Sequence, residues 1–226
     1  MNDLQPSALA LSWSGGKDSA LALWVIRQER GLNPGALITT VTDAYARVSM
    51  HGVRRELLAR QAAAAGVALV EVEIPVGCTN DLYEHRMAQA WASGVLHEIE
   101  AVAFGDLFLE DVRAYREARL AAAGKQALFP LWHRDTANLA RQFIAAGFEA
   151  ILVCVDPGRL HPSFAGRRFD EALLDDLPRD VDPCGENGEF HTFVRAGPIL
   201  SEPIALEVGE TVERDGFIFS DLVARD

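Results

Sequence analysis

The sequence predicts an α/β protein: a doubly wound, five-stranded, mostly parallel sheet, followed by a smaller α+β C-terminal domain. Three observations carry this. Five short apolar segments alternate with helical patterns over about the first 130 residues, the rhythm of consecutive strand–helix–strand units. The first of them runs into a glycine- and serine-rich turn that opens a helix, at the carboxyl edge where such sheets receive ligands. Beyond residue 132 the alternation gives way to a helix, a single strong strand, a long loop and a terminal hairpin.

Taken in order, Ala8 to Trp13 reads as a buried strand and Ser14-Gly15-Gly16-Lys17-Asp18-Ser19 as the turn that follows. A helix is expected from Asp18 to Arg30, with Leu21, Trp24 and Val25 at the spacing of one face, closed by Gly31 and Pro34. Gly35 to Thr42 is strand-like, and Gly52 to Ala65 is an alanine-rich helix stopped by Gly66. Val67 to Ile74 alternates as a strand should, Asn80 to Gly94 is helical, and Ala101 to Phe104 is a short strand ending at Gly105-Asp106. A helix over Glu110 to Ala123 leads to the fifth strand, Gln126 to Leu131. A soft boundary near Trp132–His133 divides the chain into 1–132 and 133–226; no linker separates them, so close packing is expected. A helix over Thr136 to Ala146 precedes the strand Ala150 to Val155. A loop rich in Pro, Gly, Arg and His follows (Asp156 to Arg168), then a short acidic helix (Phe169 to Leu177) and the segment DPCGENGEFHTF at 182–193. The tail from Pro203 to Val223 reads as a hairpin turning at Arg214-Asp215-Gly216. No internal repeat is present.

Composition narrows the function classes. With 226 residues, 49% of them hydrophobic and 24% charged, the chain has room for a sizeable core, and disordered or collagen-like readings are excluded. Twenty-one basic residues against 33 acidic give −12 at pH 7. Such a surface repels a nucleic-acid backbone, so no extended nucleic-acid binding is expected, although a small basic pocket remains allowed. No apolar run approaches the roughly 20 residues of a membrane span, and the opening MNDLQPSALALSW lacks a basic n-region. Neither a membrane segment nor a signal peptide is therefore expected. Cys78, Cys154 and Cys184 lie far apart with no CxxC pair, which suggests reduced thiols in a cytoplasm rather than a disulfide frame or zinc site. Only two of the 21 basic residues are lysines, and one of them, Lys17, sits in the glycine-rich turn.

A strand, then Ser-Gly-Gly-Lys-Asp-Ser, then a helix forms a phosphate cradle by construction. Gly15 and Gly16 permit a sharp turn and clear side chains from the ligand's path. The first helical amides and the positive end of the dipole face an anion. Ser14 and Ser19 add hydroxyl donors, and Lys17 adds charge. The competing reading is a plain turn with Ser14 or Asp18 as the helix cap. A Walker A loop is excluded because Asp18 follows Lys17, and the GxGxxG fingerprint is absent.

The second constellation is Asp182, Cys184, Glu186, Glu189 and His191, with Gly185 and Gly188 between them. Glu186, Glu189 and His191 would give or take a proton, His191 near neutral pH. An acidic surface turn is the alternative. Weaker candidates are Asp43, His51 and Arg54-Arg55 after the second strand, and the stretch from His161 to Arg168 as a positive patch. His85, His97 and His133 lack metal-ligand spacing.

The loop SGGKDS resembles the pyrophosphate-binding loop of the PP-loop ATP pyrophosphatases, of the HUP fold type. Later segments make the chain similar to one branch of them, the diphthine–ammonia ligase family. They are Gly105-Asp106, the helix bearing Arg113, Arg116 and Glu117, the PLW stretch at 130–132, Cys184-Gly185-Glu186-Asn187-Gly188-Glu189, Thr192-Phe193 and Gly197-Pro198. The resemblance implies an ATP-dependent ligase that forms AMP and pyrophosphate: a carboxylate is adenylated, and ammonia then displaces AMP. It implies nucleotide binding by Ser14 to Ser19, catalytic roles for Lys17, Asp106, Glu186 and Glu189, and substrate contacts from Cys184, Gly185, Gly188, His191 and Arg116. It further implies ATP and Mg²⁺ as cofactors, with Asp18 as a metal ligand. Ammonia and a carboxylate acceptor, either a diphthine-bearing elongation factor or a small molecule, would be the other substrates, and a homodimer is an allowed assembly. Cys184 has no cysteine partner, which favours a contact role over sulfur transfer. The sequence departs from the family text at Phe190-His191 and at 47–53, positions expected to touch substrate, so a different carboxylate or nucleobase acceptor stays open. So does a non-catalytic adenine-nucleotide sensor.

Overall fold

The computed structural model describes residues 8–42, 47–48, 52–92 and 94–225. Its first sheet holds five parallel strands: β1 (Leu9–Ser12), β2 (Ala36–Thr42), β4 (Ala68–Ile74), β5 (Ala101–Ala103) and β6 (Gln126–Leu128). They lie in the order β4-β2-β1-β5-β6, with chain order reversing at β1. A two-residue strand, β3 (Arg47–Val48), pairs antiparallel with Val41 and Thr42 at the carboxyl end of β2. The expected five-stranded parallel sheet is present, and β3 is an addition that two residues could not announce.

Side-chain alternation assigns the two faces. Leu9, Leu11 and Trp13 of the first strand and its extension point into one apolar cluster, with Leu37, Ala101 and Ala103. Ala10, Ala36, Ile38, Val102 and Phe104 point into the other. The first face is covered by α1 (Lys17–Arg30) and α2 (Arg55–Ala65). The helix α1 buries eight of its 14 residues, Lys17 and Ser19 among them, because it is covered on more than one side. The second face carries α3 (Asn80–Trp91) and α4 (Glu110–Ala122). None of the α3 side chains is fully buried, but Met87, Ala90 and Trp91 pack, partly buried, against this second cluster.

The second part contains α5 (Thr136–Ala145), α6 (Glu171–Asp176) and a four-stranded antiparallel sheet. Its strands are β7 (Glu149–Val155), β8 (Phe190–Ala196), β9 (Leu206–Arg214) and β10 (Phe217–Ala224), in the order β8-β7-β10-β9. The expected terminal hairpin is β9–β10, turning at Asp215 (φ 52°) and Gly216 (φ 82°). The segment after Gly188 proves to be a strand: β8 pairs with β7 from Phe190 to Ala196 and buries Phe190, Thr192, Phe193, Val194 and Ala196. Glycine and acidic density just before it masked this strand in the sequence. The α2 helix begins at Arg55 rather than Gly52, whose φ is 67°. The expected helix after Asn80 ends at Trp91, and a 3₁₀ turn, Gly94–Glu98, follows.

One continuous core joins the α1–α2 layer to β7, β8 and α5, where Phe143 stacks on Phe148 at 4.5 Å and meets Phe169 edge-on at 5.6 Å. The two sheets are therefore held as one body across α1. The turn after β5 is seated against the same helix: a Cβ on Gly105 would lie 2.8 Å from the Asp18 carbonyl carbon and 3.0 Å from the Ser19 nitrogen. Gly105→Ala should therefore push this turn off α1 and cost about 1–3 kcal/mol of stability, read as a lowered urea midpoint. An unchanged midpoint would show that the turn is not packed this tightly.

Candidate active site

The parallel sheet brings the turn after β1 and the turn after β5 to the same edge. Gly15 has φ 78°, and a Cβ there would approach Gln61 Oε1 to 2.7 Å, so both backbone and space demand glycine. Gly16 caps α1 in extended conformation. Its N–H donates to Ser14 Oγ at 3.2 Å, and Ser14 Oγ lies 3.3 Å from Ser19 Oγ, which donates to the Gly16 carbonyl at 3.0 Å. The Lys17 N–H donates to Thr192 Oγ1 of β8 at 3.0 Å. The turn is thus a tight, internally hydrogen-bonded ring of amides and hydroxyls at a helix head, with one contribution from a strand 175 residues away.

Lys17 is only 4% exposed. Its Nζ donates to both Asp18 carboxylate oxygens, at 2.9 and 2.8 Å, and stands 5.5 Å from the Phe190 ring and 6.0 Å from the Phe169 ring. Burial pulls its pKa down, but Asp18 foremost, with Glu186 among the further contributions, outweighs burial and holds the group charged, above the ordinary lysine value. The Asp18 carboxyl is pushed up by burial and pulled back by Lys17. A third of its side chain (33%) still meets solvent.

Beside this pair stands Asp106, which Arg116 grips through Nη2 at 3.1 Å and Nε at 2.7 Å. Arg116 also lies 4.3 Å from the Phe104 ring. The Asp106 carboxyl is raised by burial, with Arg116 opposing. Glu186 reaches this turn from the second part of the chain, its Oε1 accepting the Leu107 N–H at 2.7 Å. Burial moves its pKa up to about 7, the Leu107 N–H opposing and Asp18 adding to the rise. Lys17, Asp18, Asp106, Arg116 and Glu186 are therefore gathered into one electrostatic cluster.

The rest of the acidic segment serves its own loop. Asp182 Oδ1 accepts the Cys184 and Glu186 N–H groups at 2.9 and 3.3 Å, and its Oδ2 accepts Thr136 Oγ1–H at 2.7 Å. Glu189 is 1% exposed, and its Oε1 accepts the Asp182 N–H and Asn187 Nδ2, each at 3.1 Å. Of the two glutamates only Glu186 is aimed at the phosphate-loop side. Gly185 and Gly188, at φ 67° and 84°, make the sharp turns expected of them. The Cys184 thiol donates to the Thr136 carbonyl at 3.3 Å and is pushed up by burial, so it is a packed thiol and not a thiolate. Cys154 is likewise raised by burial, to about 12. His191 is lowered to about 4 by burial and by Lys17. Both effects favour its uncharged form near neutrality.

On the α3–α4 face a cavity of about 990 Å³ opens beside the loop. Ser14 and His191 stand among its walls, Ile38, Val102 and Phe104 contribute apolar surface, and Tyr115, Arg116 and Arg119 line it from α4. Tyr83, Met87 and Trp91 of α3 close the cavity from the other side, and its size falls within the range of ligand sites.

Other candidates are held elsewhere. Arg54 pairs with Asp221, and Arg55 with Glu71 and Glu73. In the loop from His161, the His161 ring accepts the Ser163 N–H and Arg167 pairs with Asp176, so both serve local structure. Asp43 and His51 lie outside the described residues. Among the described residues no three His, Cys, Asp or Glu side chains gather as a metal cage. Magnesium needs only one or two carboxylates when phosphates supply the other oxygens; Asp18 is a third exposed beside the loop, but both its oxygens accept Lys17 Nζ, so it would share them with a metal. Sequence reasoning missed Gln61, hidden in an alanine-rich helix, and the Leu107 amide.

Because Glu186 titrates near 7 when folded and near 4.5 otherwise, the native state binds more protons between those values. Its contribution to stability is present at low pH and is lost as pH rises through that window. Wild type should lose more urea stability than Glu186→Gln between about pH 5 and pH 8. Parallel pH profiles would refute the buried, raised carboxyl.

Two family models cover nearly the whole chain: the diphthamide synthase N-terminal domain over residues 7–133 and the diphthamide synthase C-terminal domain over residues 135–219. Among curated proteins, the diphthine–ammonia ligase of Danio rerio is 33% identical over 119 residues, 50% of this chain and 47% of that protein. That of Rattus norvegicus is 32% identical over 120 residues, 51% and 45%. The matched region thus spans about half the length of these relatives. A solved structure, a predicted subunit of tRNA methyltransferase from Methanocaldococcus jannaschii DSM, aligns over 87% of this chain and 99% of that one, at 19% identity and a TM-score of 0.43. Both family models follow one another along the chain, and the chain belongs to the diphthamide synthase family.

Proposed function

We propose that the protein is an ATP-dependent ligase that forms AMP and pyrophosphate while joining ammonia to a carboxylate. The observation that carries this is the ring Ser14–Ser19 at the head of α1, with a buried, charged Lys17 and the Gly105–Asp106 turn pressed against it. In the first step an acceptor carboxylate oxygen attacks the α-phosphorus of ATP, and the bond from that phosphorus to the bridging oxygen breaks. Pyrophosphate leaves with the electron pair. The loop amides, Ser14, Ser19 and Lys17 receive the charge that develops on it, exchanging their present contacts with Ser14 Oγ, Thr192 Oγ1 and Asp18 for phosphate oxygens. Asp18 would hold a Mg²⁺ carried with the nucleotide, which would supply further countercharge when bound. In the second step ammonia attacks the acyl carbon and AMP departs. Glu186, with a pKa of about 7, is matched to removing a proton from the incoming nitrogen. Arg116, paired with Asp106, lines the cavity beside α3, and this cavity takes the adenosine or the acceptor body.

The names of the relatives point to diphthine as acceptor, the elongation-factor substrate of the proposed reaction, and three free cysteines suit a reducing cytoplasm. Among the described residues no helix is long and apolar enough to cross a membrane.

The deciding assay follows AMP and pyrophosphate release from ATP with ammonium and a panel of carboxylates. ADP and phosphate as products would overturn the proposal, and ATP binding without turnover for any acceptor would favour a nucleotide sensor. Lys17→Ala should lower kcat/KM for pyrophosphate release by at least about 100-fold, the scale of losing a charge-stabilising donor, with the fold retained by circular dichroism. Glu186→Gln should lower amide formation about 10- to 100-fold, the lower part of the range for general-base loss, and leave ATP affinity near wild type. An equal loss of ATP affinity would place Glu186 in the nucleotide site instead.

A further inference from the structure

Gln61 is fully buried in the middle of α2, and neither end of its amide faces solvent. Its Oε1 accepts the Trp13 indole N–H at 3.2 Å. That contact leaves Nε2 to donate to the Gly15 carbonyl at 3.0 Å and to the Val194 carbonyl of β8. The Gly15 carbonyl also accepts the Val194 N–H at 2.9 Å. Two donors, one from each part of the chain, thus hold a single carbonyl oxygen. A peptide unit is planar and trans, so fixing the Gly15 C=O from one side aims the Gly16 N–H to the opposite side. There it meets Ser14 Oγ, at the mouth of the loop, where an anion's oxygen would sit.

We infer that Gln61 is a positioning residue for the phosphate loop: it orients the Gly15–Gly16 peptide so that the Gly16 N–H is presented to the terminal phosphoryl groups of a nucleoside triphosphate. This rests on the loop's proposed role as a pyrophosphate cradle. The geometry supports a directional rather than a merely space-filling role. A side chain of equal size without donors, as in Gln61→Met, fills the same volume but releases the carbonyl. Gln61→Glu keeps an acceptor for Trp13 and also loses both donations. The Gln61 Oε1 position, 2.7 Å from where a Cβ on residue 15 would be, is also what excludes any larger residue there.

The test measures equilibrium binding of ATP, inorganic pyrophosphate and AMP to wild type, Gln61→Met, Gln61→Glu and Trp13→Phe, with melting temperatures. Leu57→Val, a core substitution on the same helix, controls for lost packing. Gln61→Met and Gln61→Glu should each weaken ATP and pyrophosphate at least tenfold and leave AMP within twofold. Trp13→Phe should show the same selectivity at two- to fivefold, since the amide then loses its orienting donor. Leu57→Val should change none of the three affinities. Wild-type pyrophosphate affinity in folded Gln61→Met, or a uniform loss across all three ligands, would overturn the inference. If the Gln61 variants fail to fold, Trp13→Phe decides it by the same criterion. Wild type binding neither ATP nor pyrophosphate would instead defeat the cradle itself, before Gln61 enters.

Discussion

A buried ammonium at the head of a helix is the constraint around which this molecule is arranged. The first turn of α1 carries the positive end of the dipole, so Lys17 stands where a cation is least welcome, and burial adds a desolvation cost of several kcal/mol for an unpaired ion. The structure answers with the Asp18 carboxylate, the faces of Phe169 and Phe190, and the acidic neighbourhood of Glu186. These groups come from α1 and from the second part of the chain. The charge is therefore tolerable only when both parts are folded together. The same concentration of positive potential and amide donors is what a polyphosphate would complete.

That constraint explains the continuous core. Sheets joined by a mobile linker would not keep Thr192 on the Lys17 amide or Glu186 on the Leu107 amide. With α1 packed between the parallel sheet and β8, and aromatic stacking around Phe143 behind it, these contacts are held by apolar burial rather than by their own modest strength. The opposite face is organised differently. There a smaller apolar cluster, with Met87, Ala90 and Trp91 of α3 packed on it only in part, leaves room for a cavity sized for a ligand.

Charge is handled the same way across the cluster. Asp106 and Arg116 neutralise one another, and His191 is kept uncharged beside Lys17, so Glu186 is the group left to titrate near 7. Glu189, by contrast, is committed to the Asp182 and Asn187 donors of its own loop. Two glutamates three residues apart thus have different fates because Gly185 and Gly188 turn the chain between and around them.

The sequence by itself determined the parallel sheet, the glycine-rich turn at the head of α1, the Gly105-Asp106 turn and the terminal hairpin. Each is written in patterns a few residues long: apolar alternation, glycine where the backbone must bend, and a donor-rich run before a helix. Resemblance along the chain extended this to the family. Only the tertiary structure decided which of the acidic residues face the loop, that Phe190 to Ala196 is a strand, and that Gln61 and Thr192 brace the turn. Those outcomes depend on partners far apart in the chain, by as many as 175 residues. A glutamine in an alanine-rich helix looks the same whether it meets water or a buried carbonyl, and folding alone settles which.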